Sequence, residues 1–434
     1  MVSISSLVTV KPKEVKALFA SCAFFFLILC AYYIIRPIRD EMVIANGVGN
    51  IQWILLATVI TLILLTPVFG WVTTRFKTKQ FLSYCILFFA SHLVGFYFLF
   101  NVENRPAIVT QAFYVWVNVF NMFIVSLFWS FMNDVFGKEQ VKRLFAFIAA
   151  GGTAGAICGP IITRGLVENV GLAPLLLISA TTLALSVLLV FWLIRWQNDD
   201  YDNCSVSRQV KDKALKGGVM GGFTLVVRSP YLAGICVFIL LYATSITFVQ
   251  IRQAELVAEA YSVPEKRTQL FATIDLVVNV LVLLFQLFLT SRIINWLGFS
   301  KTLIIVPFGI TIGFGVMAFA PVLAVMISLE VFRRVGDYAI MKPAREMLFS
   351  VVSREEKYKA KNFIDTTILR TGSASSSWIY KGVASIGMQG LGIAAVSVAL
   401  GLAWCFIAYW LGKQFTRLQN SQILAAKTPQ SRDK

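Results

Sequence analysis

Charged side chains are scarce in this chain. Asp, Glu, Lys and Arg make up 14% of its 434 residues, whereas a soluble protein carries about 25%. Hydrophobic residues account for 58% of the chain, and 36 residues are Phe. A soluble core cannot bury so much apolar surface in a chain of this length. The composition therefore excludes a soluble enzyme, a secreted disulfide scaffold and a nucleic-acid-binding domain.

The chain also has few residues that bind metals, and it lacks the phosphate-binding loop of ATPases. The chain has one His, His92, and its seven Cys residues show no CxxC spacing. Because metal sites are built from clusters of such residues, we predict no metal and no cofactor. The G-x-x-x-x-G-K-[ST] loop of ATPases is missing from the sequence. We therefore expect no enzymatic activity and no transport driven by ATP hydrolysis in this chain.

Long uncharged stretches are what the sequence has instead. Ala17–Ile35 and Ile51–Val72 each supply about the 20 apolar residues that cross a bilayer as a helix. Twelve predicted helices, most of them built on such stretches, indicate an all-α polytopic membrane protein. The even number of crossings places both termini on one side. The predicted helices span residues 17–35, 51–72, 81–100, 108–132, 145–163, 173–194, 230–250, 269–290, 301–319, 321–341, 362–380 and 387–412.

The basic residues predict the orientation of these helices. Of the 39 Lys and Arg residues, 30 fall at the termini, in the loops on their side or in the adjoining parts of helices 9 and 10, and eight fall in the opposite loops. Cytoplasmic loops carry the excess of Lys and Arg in membrane proteins. We therefore predict cytoplasmic termini, and we interpret the formal net charge of +17 as a consequence of topology.

An internal repeat divides the twelve helices into two sets of six. The longest polar interruption lies at 195–229, and matching segments recur at one offset of 216 residues: Ile35-Arg36 with Ile251-Arg252, Lys138-Glu139-Gln140 with Arg354-Glu355-Glu356, and Phe147-Ile148 with Phe363-Ile364. Parallel six-helix halves define the major facilitator architecture. We predict an N-terminal bundle at 1–196, a cytoplasmic linker at 197–229 and a C-terminal bundle with a tail at 230–434.

Charge within the predicted helices indicates function, because an ionised side chain at mid-membrane costs about 3 kcal/mol. Helix 1 ends in charged residues around Pro37, which we expect to break or kink the helix. Gly151–Ala156 in helix 5 is rich in small residues and predicts close helix packing. The charged candidates are Arg36, Arg39, Asp40, Glu41, Asp275, Lys342, Arg345, Glu346, Lys361, Asp365 and Arg370.

The excess of basic over acidic candidates favours an anionic substrate. The guanidinium fork matches two oxygens of a phosphate or carboxylate at once. We expect Asp365 to orient Arg370, and it can also pair with Lys361, four residues earlier. The predicted substrate contacts are Arg36, Arg39, Lys361 and Arg370, and the predicted gating or charge-pairing residues are Asp40, Glu41, Asp275, Lys342, Arg345, Glu346 and Asp365.

Two other interpretations of these charges stay open. Residues 36–41 could form an interfacial anchor whose side chains reach the headgroups. Lys342 and Arg345 could be ordinary cytoplasmic charges that only set the topology.

Three segments resemble the ATP/ADP translocase (nucleotide transporter) family of bacteria and plastids, a major facilitator relative. Helix 1 of that family reads roughly Y-N-I-L-R-D-T-K-D, and this chain keeps Tyr32, Ile34, Arg36 and Asp40, with Arg39 in place of the Lys. The segment around helices 10 and 11 matches at Arg345-Glu346-Met347, Lys361, Ile364-Asp365, Arg370 and Gly372. The third segment carries Phe128-Trp129, Asn133 and Lys142-Arg143.

The resemblance implies nucleotide exchange across a bacterial inner membrane. It also places Gln250 where the family has a Glu in helix 7, which assigns Gln250 to the polar part of the substrate. The family Glu of helix 4 falls at Val117, next to Asn118, and Ser373 replaces a family Lys. With these carboxylates replaced, the substrate is either a nucleotide or a different anionic metabolite.

The leading prediction is a secondary active transporter that works by alternating access, with its site near the bilayer midplane between the two halves. The expected partners are a small anionic substrate and the lipid bilayer, without nucleic acid, and we expect a monomer. One alternative is a proton-coupled exporter in which Asp275 or Asp365 carries the proton. The other is a non-transporting membrane receptor on the same scaffold.

Overall fold

The computed structural model describes residues 12–75, 78–201, 224–226, 229–353, 360–361, 363–388 and 390–427. The regular structure within these residues is helical, as the all-α prediction requires. The helices are α1 Pro12–Ala45, α2 Ile51–Arg75, α3 Thr78–Phe100, α4 Ala107–Val135, α5 Lys138–Val170, α6 Leu172–Tyr201, α7 Pro230–Ala260, α8 Pro264–Phe288, α9 Thr290–Phe319, α10 (Leu323–Gly336, Asp337–Met341 and Lys342–Leu348), α11 (Ile364–Ile368 and Leu369–Ser385) and α12 Leu391–Lys427.

Ten of the helices within the described ranges are long and apolar enough to cross a membrane. The chain is therefore a multi-pass membrane protein. The helices outside this set are α10 and α11, at the positions predicted for helices 10 and 11. Both are interrupted by charged residues, so the count of twelve crossings is consistent with the structure without being fixed by it.

Helix α1 continues through Pro37 to Ala45, so of the two expected effects, a break or a kink, the structure contradicts the break. Proline removes one backbone hydrogen bond and crowds the preceding turn. Packing outweighs that penalty here, because Ile34, Ile35 and Ile38 are fully buried on both sides of the proline. As a result, the charged residues that follow Ile35 belong to a continuous buried helix and not to a loop.

The described residues form two compact units. The first comprises the described part of Met1–Lys211 together with Tyr261–Asn279, and the second comprises that of Asp212–Ala260 together with Val280–Lys434. The first part of α8 therefore belongs to the first unit. Most of the predicted linker at 197–229 lies outside the described residues, and the predicted domain boundaries stay a prediction.

An aromatic core fills the first unit, in which α1 packs against α4, α5 and α6. Phe25 of α1 stacks on Phe128 of α4, with ring centroids 4.2 Å apart. Phe24 also contacts Phe128, at a centroid distance of 5.2 Å. Buried aromatic pairs of this kind contribute about 0.5–1.5 kcal/mol beyond their buried area, so they fix α1 against its neighbours.

Close backbone approach joins α1 to α5, as the small residues of helix 5 predict. A Cβ atom placed on Gly151 would lie 2.4 Å from the carbonyl oxygen of Cys22, and one on Gly155 would lie 2.3 Å from that of Phe26. Gly159 continues the row one turn later against Tyr33. Small residues allow such contact between membrane helices.

Hydrogen bonds to the α1 backbone complete this packing. The Thr163 hydroxyl of α5 donates to the carbonyl of Ile34 over 3.0 Å, and the Ser179 hydroxyl of α6 donates to that of Ala31 over 2.8 Å. Both bonds are buried. They hold the turn of α1 that precedes Arg36, and they thereby set the direction of its charged end.

The second unit is organised around α12, which packs against α7 and α9. Trp404 of α12 is fully buried and lies against Phe238 and Tyr242 of α7, with ring centroids 5.7 and 5.9 Å away. Two glycines of α12 allow α9 to approach closely. A Cβ on Gly401 would overlap Thr311, and one on Gly412 would overlap Ser300. The same unit holds α10 and α11.

Replacement of Gly155 by alanine tests the α1–α5 contact. The new methyl group would have to displace the α1 backbone, and overpacking of this kind costs about 1–3 kcal/mol. We expect Gly155→Ala to lower the thermal unfolding midpoint of the purified protein. Gly165→Ala, on the same helix, is the control because its Cβ meets nothing within 4 Å. Equal midpoints for the two variants would contradict the packing described here.

Candidate functional site

Arg39 lies in a polar and aromatic corner of the first unit. Its Nε and Nη2 atoms donate to Asp40 Oδ1 over 2.9 and 2.6 Å, while Nη1 donates to Asn118 Oδ1 over 3.4 Å. The guanidinium carbon lies 5.7 Å from the centroid of the Tyr114 ring. The side chain of Arg39 is 11% exposed. Asp40 therefore takes two of the guanidinium donors and Asn118 takes a third, which stabilises the charge of Arg39 inside the bundle.

Arg36 lies one turn before Arg39 and faces α8. Its Nη1 atom lies 3.4 Å from Oδ1 of Asp275, and the two side chains are 13% and 1% exposed. The guanidinium also lies over the Tyr33 ring, 5.3 Å from its centroid. A buried ion pair of this kind limits the cost of placing each charge in an apolar bundle. Asp275 is thus the charge partner of a predicted substrate contact.

A second buried pair lies next to the first. Glu41, whose side chain is fully buried, lies with Oε2 3.1 Å from Nε of Arg267 in α8. Asn279, one turn after Asp275, donates from Nδ2 to the carbonyl of Ala156 over 2.6 Å. These contacts fasten the first part of α8 to α1 and α5. Five predicted residues of the first unit, Arg36, Arg39, Asp40, Glu41 and Asp275, therefore form one cluster, the α1 charge cluster.

The predicted charges of the second unit form two ion pairs between α10 and the start of α11. Lys361 Nζ lies 2.5 Å from Glu346 Oε2, and Arg345 Nη2 lies 3.8 Å from Asp365 Oδ1. Both pairs are more exposed than the Arg36–Asp275 pair. They tie the end of α10 to the segment that begins α11, and all four residues belong to the segment that resembles the nucleotide transporter family.

Two π-helical turns mark the same region. One spans Asp337–Met341 in α10 and the other spans Ile364–Ile368 in α11. Single π-helical turns occur mostly inside α-helices, and they are frequent at functional sites. Lys342 follows the first turn, with its Nζ atom 4.0 Å from the centroid of the Tyr338 ring. Arg370, the second residue after the other turn, is partly buried on α11.

Gln250 is exposed on α7, and its predicted contact with the substrate stays a prediction. Two residues later, Arg252 Nη1 donates to Glu255 Oε2 over 2.8 Å, and the Tyr380 hydroxyl of α11 donates to the same oxygen over 2.9 Å. Arg252 is the repeat counterpart of Arg36. The two equivalent arginines thus have different partners, so the charge network does not follow the repeat.

Several polar groups that the structure places in ion pairs or hydrogen bonds are not among the residues predicted from the sequence. Asn118 and Tyr114 meet Arg39 from α4, and Tyr380 meets Glu255 across 125 residues of sequence. A third group consists of Glu330 and Arg333 of α10, joined by two hydrogen bonds of 2.8 and 2.7 Å. Charged residues three apart in an otherwise apolar helix were a usable signal for that pair. The partners from distant helices had none.

The α1 charge cluster sets two guanidinium groups beside aromatic faces, and each is paired with a carboxylate that an incoming anion would have to replace. The guanidinium fork suits phosphate and carboxylate oxygens, and Tyr33 and Tyr114 present ring faces beside it. Within the described residues, no group of three or more His, Cys, Asp and Glu residues is arranged to hold a metal ion.

Comparison with known proteins places this arrangement in a family. The model of the Major Facilitator Superfamily matches residues 17–344, which include the whole α1 charge cluster. The chain belongs to the Major Facilitator Superfamily. This facilitator is also similar to nucleotide carriers. It is 20% identical to ADP,ATP carrier protein 2 of Chlamydia pneumoniae, over 92% of this chain and 88% of the relative.

A second relative agrees with the first. ADP,ATP carrier protein 1 of Chlamydia muridarum is 22% identical, over 93% of this facilitator and 89% of the relative. Solved structures share the fold. The nucleoside transporter NupG matches with a TM-score of 0.63 at 14% identity, over 92% of this chain and 98% of the other. A bacterial homologue of the iron transporter ferroportin, inward-facing, matches at 0.65 and 16%, over 92% and 98%.

A double-mutant cycle on Arg36 and Asp275 tests the buried pair of this facilitator. We expect Arg36→Gln and Asp275→Asn each to destabilise the protein, and the double variant to lose less than their sum. The interaction free energy expected for groups in contact is about 0.5–3 kcal/mol, and we expect this pair to lie in the upper part of that range because it is largely buried. It is measured by denaturant unfolding in detergent micelles.

The matched control is the same cycle on Lys361→Gln and Glu346→Gln. Their side chains are 31% and 53% exposed, and exposed pairs contribute about 0–1 kcal/mol. An Arg36–Asp275 coupling no larger than that of the exposed pair would show that burial gives the pair no special weight.

Proposed function

We propose that this facilitator is a secondary active transporter of anionic metabolites that works by alternating access, and that nucleotides are its substrates. The observation that carries the proposal is the pair of largely buried guanidinium groups of Arg36 and Arg39, 13% and 11% exposed, on one continuous helix. Ionisable groups within membrane helices are rare and mark substrate or ion paths. A structural helix would have no need of two of them one turn apart.

The substrate class follows from what surrounds the two cations. Nucleotides present phosphate oxygens for a guanidinium fork and a base whose flat face stacks on aromatic rings. Arg36 lies over Tyr33 and Arg39 over Tyr114, so each cation has a ring beside it. Support also comes from the similarity to proteins named ADP,ATP carriers.

The predicted contacts of the second unit complete the proposal. Lys361 and Arg370 would contribute positive charge to the bound anion, and Gln250 would meet its polar, uncharged part. Lys342, Arg345, Glu346 and Asp365 would act as gating residues whose ion pairs form and break during the transport cycle. Asp365 is paired with Arg345 in this structure. In the state in which Asp365 orients Arg370, its ion pair with Arg345 would be broken.

The expected cellular setting is the inner membrane of a bacterium, with both termini in the cytoplasm. The support for this orientation is the positive charge of the predicted termini-side loops. We further propose that the transporter acts as an exchanger and as a monomer.

A proton-coupled exporter is the second candidate function. The specific observation in its favour is Asp275, a carboxylate whose side chain is 1% exposed inside a membrane-embedded unit. Protonation of Asp275 would release Arg36, which would link a proton to the charge of the site. Asp365 could serve in the same way in the second unit. Dependence on a proton gradient therefore separates the two candidates.

Flux measurements in proteoliposomes test the proposal. We expect uptake of labelled ATP or ADP into vesicles preloaded with unlabelled nucleotide, and little uptake into empty vesicles. An uncoupler should leave exchange unchanged, whereas it would abolish proton-coupled transport. Binding of labelled nucleotide without any flux would contradict transport and favour a receptor.

Arg39→Lys tests the role of the guanidinium fork in that assay. The variant keeps the positive charge and loses the planar pair of donors, so we expect nucleotide exchange to fall about tenfold or more. Arg143→Lys is the matched control, because Arg143 pairs with Glu14 at 3.3 Å, outside the α1 charge cluster. Equal exchange rates in the two variants would remove Arg39 from the substrate path.

A further inference from the structure

A second positively charged site lies in the second unit, at the end where α9 begins and α12 finishes. There a groove with a volume of about 500 Å³ opens between the two helices. The groove is lined by Ser300, Lys301, Ile304, Tyr409, Lys413, Thr416, Arg417 and Asn420. Its volume falls within the range of about 300–1,000 Å³ that is usual for ligand pockets. None of its residues belongs to the predicted substrate path.

The charge of the groove is of one sign. Lys301, Lys413 and Arg417 line it, and the eight lining residues include no carboxylate. The sequences of α9 and α12, Thr290–Phe319 and Leu391–Lys427, contain no Asp or Glu at all. The two helices that build the groove therefore cannot neutralise its three positive charges themselves.

Helix geometry adds to this positive potential. Gly298 has a left-handed backbone with a φ of 72°, which interrupts α9 so that the membrane helix starts anew just after it. Ser300 and Lys301 consequently lie in a first helical turn, where backbone N–H groups lack intrahelical acceptors. The positive end of the helix dipole points to the same place. Anions bind readily at such helix starts.

The groove is preformed, because its floor is closely packed. A Cβ on Gly412 would lie 2.7 Å from Cα of Ser300, so the two helix backbones touch beneath the charged residues. Beside this contact, Phe299 and Phe415 pack with ring centroids 4.0 Å apart. A ligand would therefore find the three cations already held around one cavity.

The level of the groove corresponds to the headgroup region of a bilayer. Lys413, Thr416, Arg417 and Asn420 form a polar stripe on α12 that follows its apolar span. Lys413 Nζ lies 4.5 Å from the centroid of the exposed Tyr409 ring. Trp296, which precedes the break in α9, is 83% exposed. Tyr and Trp are enriched at the membrane–water interface, so both rings place the groove at that boundary.

We propose that this groove binds the phosphate group of an anionic phospholipid headgroup from the leaflet on the predicted cytoplasmic side. Basic pockets between membrane helices on that side suit such headgroups. Lys301, Lys413 and Arg417 would meet the phosphate oxygens, and the hydroxyls of Ser300, Thr416 and Tyr409 would bind further oxygens of the headgroup. The lipid would join α9 to α12 and so stabilise the second unit.

Native mass spectrometry of the full-length protein in detergent tests the proposal. The probes are phosphatidylglycerol and phosphatidylcholine with identical acyl chains, each added to purified protein. We expect wild-type protein to bind phosphatidylglycerol about tenfold or more tightly than phosphatidylcholine. A variant with Lys301→Gln, Lys413→Gln and Arg417→Gln should lose this preference.

The matched control removes three positive charges elsewhere on the same predicted side, by Lys16→Gln, Arg75→Gln and Arg195→Gln. All three of these residues are exposed in the first unit. The control should keep the lipid preference of the wild type. Equal loss in both variants would overturn the site, because it would show that net charge alone attracts the lipid.

Competition with inorganic phosphate distinguishes a lipid headgroup from free phosphate as the occupant of the groove. Millimolar phosphate should leave bound phosphatidylglycerol in place, and displacement of the lipid would overturn a headgroup as the occupant. Thermal unfolding midpoints show whether the groove variant is still folded. They also report binding, because a ligand that binds the native state raises the midpoint. Phosphatidylglycerol should raise the midpoint of wild type and control, and should leave that of the groove variant unchanged.

Discussion

A guanidinium group inside an apolar helix bundle loses its hydration, and the protein must replace that hydration with charges and dipoles of its own. Arg36 and Arg39 meet this condition in the first unit through Asp275, Asp40 and Asn118. The row of glycines on α5 contributes through packing, because it lets α1 approach α5 closely and so fixes the helix that carries both cations. Loss of the carboxylates would leave both cations without counter-charges inside the bundle.

This balance of charge suggests how a substrate could act on the protein. Under the proposed function, a phosphate that reaches Arg36 would compete with Asp275 for the same guanidinium. Binding of an anion would thereby be linked to a rearrangement of α1 against α8. The ion pairs of Arg345 and Lys361 in the second unit offer a comparable exchange of partners. An alternating-access cycle needs such interchangeable pairs, because each state must satisfy the buried charges in its own way.

The long helices could be predicted from the sequence, since a run of about 20 apolar residues has few other structures open to it. Arg36, Arg39 and Asp275 could be singled out because charge is expensive in such helices. Their pairing could not be predicted, as α1 and α8 are far apart in the sequence. The uninterrupted helix through Pro37 and the π turns at Asp337–Met341 and Ile364–Ile368 depend on tertiary packing, which local propensity does not report.

The central claim is that the buried cations of α1 bind the negative charge of the substrate. The most direct test is equilibrium binding of a nucleoside and its mono-, di- and triphosphates to the purified protein, at one fixed ionic strength. The account predicts affinity that rises with the number of phosphates and very weak binding of the nucleoside. Equal affinity for the uncharged nucleoside and the triphosphate would contradict it.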